Sequence, residues 1–197
     1  MDGFEAPVVS ALYARASGGA VAQALTVAAA QWLVLLVPVV LLVAWFAPRA
    51  GRQSRRHLLV ASGVSLALSG LVALPLAHLL DRVRPFVALG LVPLFAHGVD
   101  SSFPSDHTLV GAALVAPLVW RLARLGVPLL VVVLAVGLAR VAAGVHWPSD
   151  ILGSVLVSLT LGRLALPLTR MALARTPPPL QRWVGLAPRQ QGSSARH

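Results

Sequence analysis

Long apolar runs separated by short polar blocks set the organisation of this chain. A helix that crosses a bilayer needs about 20 mostly apolar residues, and five stretches meet that length. The first comes from the uncharged run between Arg15 and Arg49, most apolar from Ala24 to Phe46. The second covers His57 to Leu80, bounded by Arg56 and Asp81. The third begins near Pro104 and ends at about Trp120, the fourth covers about Gly126 to Val145, and the fifth about Ile151 to Leu168. The remainder of the first run, with residues 3 to 14, reads as an interfacial helix or a further short span. The pattern predicts an all-α integral membrane protein, a bundle of five to six transmembrane helices.

Composition agrees. Of 197 residues, 57% are hydrophobic and 11% charged, with a mean hydropathy of +0.82, far from the balance of a soluble domain. The net charge of +10 raises nucleic acid as a partner. The charges, however, sit in short blocks between apolar runs and provide no continuous basic face, so a nucleic-acid role is excluded. All 16 basic residues are arginine, and there is no cysteine; mechanisms built on lysine, disulfides or thiolate metal sites are therefore unavailable.

Arginine placement predicts orientation, because short loops rich in Lys or Arg stay on the cytoplasmic side. Arg49, Arg52, Arg55 and Arg56 link spans one and two, Arg121 and Arg124 join spans three and four, and Arg170, Arg175, Arg182, Arg189 and Arg196 follow span five. An up-and-down threading puts all three segments on one side. The acidic start MDGFE, which lacks the basic region of a cleaved signal and is taken as mature sequence, then faces outward, with residues 81 to 103 and the turn at 146 to 149. Residues 1–169 form a single transmembrane domain, and 170–197 a cytoplasmic, mostly disordered tail rich in Arg and Pro.

Three polar clusters fall on that outer face. In SFPSDHT, residues 102 to 108, Pro104, Ser105 and Asp106 suit a helix start. His107 does not follow from capping alone; it sits in a first turn where free amides and the helix dipole favour an anion. In RVAAGVHWPSD, residues 140 to 150, Arg140 lies inside an apolar span, where an ionised group marks a functional site by default. His146 and Asp150 follow, close enough for the carboxylate to orient the imidazole, whose other nitrogen then acts as a nucleophile. In DRVRPF, residues 81 to 86, Arg84 and also Arg82 supply planar forks that match phosphate oxygens. Alone, each cluster also reads as capping or solvated charge. Together they match phosphoryl transfer through a phosphohistidine, with His146 attacking phosphorus, His107 protonating the leaving oxygen, and Arg84, Arg140, Ser105 and the helix-start amides holding the remaining oxygens. Two histidines and an acid also suit zinc, but the arginines would repel a cation, so no metal or other cofactor is expected.

These residues resemble the type-2 phosphatidic acid phosphatase superfamily, whose signature is Lys-x6-Arg-Pro, Pro-Ser-x-His and Ser-Arg-x5-His-x3-Asp. The second part is complete as Pro104-Ser105-Asp106-His107. The third is present as Arg140, His146 and Asp150, with Ala139 in place of the serine. The first is reduced to Arg84-Pro85, with Ala77 where the lysine belongs; either Arg82 or His78 compensates, or the enzyme is slower or tuned to another substrate. The signature motifs lie within residues 81–150 of a resemblance that spans 57 to 168. It implies a helical bundle with its site at the outer bilayer surface and metal-independent hydrolysis through His146, His107 and Asp150, with Arg84, Arg140, Ser105, Asp106 and Arg82 around the phosphate. The aspartate in SFPSDHT and the short chain are most similar to bacterial undecaprenyl pyrophosphate phosphatases. That likeness implies a membrane-embedded polyprenyl diphosphate substrate; phosphatidic acid or phosphatidylglycerol phosphate suits the same site, and a non-catalytic lipid-phosphate binder or translocator remains the reading of another class.

Overall fold

The computed structural model describes residues 3–46 and 52–177, and every regular element among them is helical. Eight α-helices follow in order: α1 (Ala6–Ser17), α2 (Ala20–Gln31), α3 (Leu36–Phe46), α4 (Arg52–Leu80), α5 (Pro85–Ala88), α6 (Asp106–Arg121), α7 (Ala123–Ala142) and α8 (Pro148–Arg175). A single 3-10 turn, Leu33–Leu35, joins α2 to α3.

Helices α4, α7 and α8 are long and apolar enough to cross a membrane, and α2 with α3 forms a fourth candidate bent by 40°. Lipid is the solvent that makes such a surface tenable. Leu71, Leu74 and Leu79 of α4, Val131 and Leu138 of α7, and Leu152 and Leu156 of α8 are all exposed, an apolar area that water would not tolerate on a monomer.

Three sequence expectations change. The first span is not straight: the backbone breaks at Trp32, so the run divides into α2, a 3-10 turn and α3. The third span is shorter than expected, since α6 has 16 residues and so reaches about 24 Å. It is also the most enclosed helix, packed against α4, α7 and α8 with nine buried residues from Thr108 to Leu118. The fifth span is longer, because α8 runs to Arg175 and takes in the first residues assigned to the tail. Residues 3 to 14 form most of α1, and the tail from residue 178 onward lies outside the described residues.

The core has two parts. Val37 and Leu41 of α3, Ala112, Val115 and Leu118 of α6, and Leu129 and Val133 of α7 make the larger. Val9 of α1, Val141 of α7, and Trp147 and Ile151 at the start of α8 make the smaller. Between α6 and α8 the glue is polar. Ser154 accepts the Ser105 N–H at 2.9 Å and Ser158 donates to the Leu109 carbonyl at 3.1 Å, the kind of hydroxyl bridge that joins helices where lipid offers no hydrophobic drive. These bonds fix the first two turns of α6 against α8.

The turn from α6 to α7 is equally tight. A Cβ added to Gly126 would lie 2.3 Å from the Val119 nitrogen and 2.5 Å from the Leu118 carbonyl carbon, backbone that cannot move aside. Gly126→Ala is therefore expected to cost about 1–3 kcal/mol by overpacking. In detergent its melting temperature should fall, whereas Gly63→Ala, which meets nothing within 4 Å, should leave it unchanged.

Candidate active site

The polar clusters meet at one end of the bundle, where α4 ends, α6 and α8 begin, and α7 ends. Asp81, at φ 35, closes α4 with its N–H on the Ala77 carbonyl at 3.0 Å and turns the chain into the arginine segment. Gly144, at φ +79, makes the turn that presents His146. Its carbonyl receives the Phe86 N–H at 2.9 Å, which ties this turn to α5.

Asp150 is wholly buried in the first turn of α8. Its Oδ2 accepts the Trp147 N–H at 2.7 Å and the Ser102 hydroxyl at 2.5 Å, and lies 3.6 Å from His146 Nδ1. The nearer partner of Nδ1 is the Ser102 carbonyl at 2.8 Å. An N–H must donate there, so the Ser102 carbonyl fixes the tautomer with the proton on Nδ1, and the carboxylate supplies negative charge from one step further away. Nε2 is left as the lone-pair nitrogen, 3.4 Å from Arg84 Nη1. Burial pushes the His146 ring down to about 4, with the Asp150 carboxylate opposing and the charges of Arg140 and Arg84 adding to the effect. A neutral ring with an open Nε2 is a nucleophile ready at neutral pH.

Two buried arginines flank it. Arg84 is held by carbonyls, with Nη1 on Val145 at 3.0 Å, Nη2 on Ser101 at 2.9 Å and Nε on Asp100 at 3.0 Å. The Asp100 carboxylate, itself 69% exposed, pairs with Nη2 at 3.1 Å. Arg140 reaches in from α7 beneath the loop, with Nη1 on the Ala30 carbonyl at 3.3 Å and Nη2 against His97 Nε2 at 2.9 Å. Its buried Nε has no partner among the described residues, a donor that an arriving anion would satisfy.

Helix α6 supplies the third side. His107 is half-buried in its first turn, within electrostatic reach of Arg140, Asp106 and His97. The Ser105 hydroxyl pairs with Thr108 at 3.1 Å and its N–H is used by Ser154, so Ser105 anchors the helix start. Asp106 is exposed, and its carboxylate is an acceptor that cannot donate to a phosphate.

Arg82 goes elsewhere. It binds Asp150 Oδ1 at 2.6 Å and the Ser149 hydroxyl at 2.6 Å through Nη1, and Glu5 through Nη2. It therefore stands behind the carboxylate, on the far side of His146 from Nε2. His78 is exposed on α4. Neither takes the place expected for a compensating phosphate ligand. Four contributors had no local sequence signal: the Ser102 carbonyl, Asp100, His97, and Glu5, which also accepts the Ser149 N–H at 2.7 Å.

Comparison with known proteins adds four findings. The PAP2 superfamily pattern matches residues 58–173. Undecaprenyl-diphosphatase BcrC of Bacillus subtilis strain 168 is 30% identical over 80% of this chain and 80% of that protein, and the bacitracin transport permease protein BcrC of Bacillus licheniformis is 27% identical over 66% of this chain and 63% of that one. The crystal structure of LpxE from Aquifex aeolicus superposes with a TM-score of 0.63 at 18% identity, covering 83% of this chain and 95% of that one, a likeness of fold.

An unfolded histidine takes up its proton near 6.5, and the buried His146 only near 4. The unfolded state thus binds more protons between these values, and its contribution makes stability fall as the pH drops through that window. Nuclear magnetic resonance of ring-labelled protein is expected to show His146 still neutral at pH 6. Asp150→Asn, which removes the opposing charge, should lower the transition further.

Proposed function

This chain belongs to the PAP2 superfamily and is a membrane lipid phosphatase, and from that premise we propose that it hydrolyses undecaprenyl pyrophosphate to undecaprenyl phosphate and inorganic phosphate. The observation that carries the reading is His146, whose Nδ1 proton is committed to the Ser102 carbonyl while Nε2 turns toward a guanidinium. Nucleophile, orienting group and cationic cradle stand in one buried cluster, as in-line attack on phosphorus requires.

In the first step His146 Nε2 attacks the terminal phosphorus. The bond from that phosphorus to the bridging oxygen breaks, and protonated His107 gives its proton to the leaving lipid phosphate. Arg84 and Arg140 hold the oxygens on which charge develops. The phosphohistidine ring carries positive charge, which the buried Asp150 carboxylate offsets. In the second step His107 takes a proton from water, the oxygen attacks phosphorus, the P–N bond breaks, and inorganic phosphate leaves with His146 neutral again. No step calls on a metal.

The diphosphate substrate is supported by the relative named as an undecaprenyl-diphosphatase. The outward orientation of the site is supported by charge: Glu5, Asp81, Asp100, Asp106 and Asp150 all lie at the end that holds His146, while Arg56 in the first turns of α4 and the turn at Arg121 and Arg124 lie at the other, the side expected to remain cytoplasmic.

Purified protein given undecaprenyl pyrophosphate, with phosphatidic acid and phosphatidylglycerol phosphate as competitors, should release phosphate fastest from the first, in EDTA as in buffer. His146→Ala should abolish release. Binding of the lipid without turnover by the wild type would overturn the catalytic reading in favour of a carrier. His107→Ala should retain a trace of activity, since a general acid contributes about 10²- to 10⁴-fold; equal residual rates in the two variants would contradict the roles assigned.

Arg82→Ala separates the two places considered for that residue. Standing behind Asp150, it should lower kcat with little change in KM. A rise in KM alone would return it to the phosphate.

A further inference from the structure

The cluster contains a third histidine. His97 reaches the site from the loop between α5 and α6, with its ring 6.0 Å from that of His146, edge-on, and its Nε2 2.9 Å from Arg140 Nη2. Its Nδ1 lies 3.2 Å from the Gly98 carbonyl, to which it must donate. Two N–H groups cannot face each other, so the Arg140 contact makes Nε2 an acceptor and the ring neutral. Phe95 lies beneath the same guanidinium, 5.7 Å from its carbon, so the loop packs on Arg140 from two sides.

We propose that His97 is the residue that selects a diphosphate over a monophosphate: in the empty site it accepts from Arg140, and when a lipid diphosphate enters it takes a proton from solvent, so that both side chains donate to the phosphate oxygens. This rests on the lipid-diphosphate reading above. With Arg82 held behind Asp150, the described residues otherwise offer a phosphate two permanent cations, Arg84 and Arg140, in a chain without lysine. Arg84 shares its charge with the Asp100 carboxylate. A second phosphate group therefore needs a further donor, and His97 is the titratable side chain in contact with Arg140.

The groups around the ring set the switch. Burial is the largest influence lowering the proton affinity of His97, followed by Arg84; the Gly98 carbonyl opposes, Arg140 lowers it further, and Asp100 opposes. From α6, His107 also acts across the site, and from the turn before α8, His146 faces it edge-on. With cations on most sides the ring stays neutral until an anion arrives. A diphosphate oxygen between His97 and Arg140 reverses the local field, the Arg140 bond transfers to that oxygen, and Nε2 gains its proton.

The test is calorimetric titration of detergent-purified full chain with methylenediphosphonate, which cannot be hydrolysed, and with orthophosphate, at neutral pH in two buffers of different ionisation enthalpy. Wild type is expected to take up about one proton more than His97→Ala on binding the diphosphonate. Loss of a charge-assisted donor should weaken the diphosphonate by about ten- to a hundredfold in His97→Ala and change orthophosphate by no more than about threefold. His97→Lys should restore affinity without proton uptake, which also controls for folding. Equal proton uptake in wild type and His97→Ala, or equal weakening of both ligands, would overturn the proposal. The readout is independent of turnover: failure to cleave any lipid would sink the catalytic reading and leave this result standing, and the converse also holds.

Discussion

The Asp150 carboxylate is the point through which the site is assembled. A buried charge is tolerated only when its lone pairs are used, and here they are used by four segments. The Trp147 amide belongs to the start of α8, the Ser102 hydroxyl to the loop before α6, the Arg82 guanidinium to the loop after α4, and the His146 ring to the turn after α7. Glu5 extends the chain of charge to α1 through Arg82. Satisfying one carboxylate thus fixes the relative positions of the elements that surround the reacting phosphorus.

Around that point, rigidity and openness are divided. The His146 ring is locked on its Nδ1 side, Ser105 is consumed by Thr108 and Ser154, and α6 is stitched to α8 by serine hydroxyls. The side that holds the two arginines is the under-satisfied one, with an Arg140 nitrogen that has no partner among the described residues and the Arg84 fork shared with an exposed acid. A site whose framework is satisfied and whose substrate face is not has reserved its donors for the reaction.

Much of this was legible from residue order. Spacing and apolar context picked out His107, Arg140, His146, Asp150 and Arg84, because each lies in a motif whose members are close along the chain or stands out as a charge within an apolar run. What escaped notice has a common physical cause. The Ser102 carbonyl is backbone, present at every residue and so without a signature. Glu5 meets Ser149 across 144 positions and His97 meets Arg140 across 43, contacts made by the fold alone. Arg82 is a related case: it meets Asp150 across 68 positions and Glu5 across 77, partners that the order of residues does not display. The break at Trp32 and the shortness of α6 were hidden because apolar runs carry no mark of where a helix bends or ends.

That short central helix has a further consequence. At about 24 Å against a hydrocarbon core of about 30 Å, α6 cannot reach both interfaces, and the reacting groups at its N-terminus are drawn about 6 Å toward the bilayer's interior if its other end is level with the opposite boundary. A headgroup then meets the histidines without its tail leaving the leaflet. Catalysis of this kind is a reaction in two dimensions: its rate follows the number of substrate molecules per unit area, so diluting the lipid within its own membrane slows it even when the amount in the tube is unchanged.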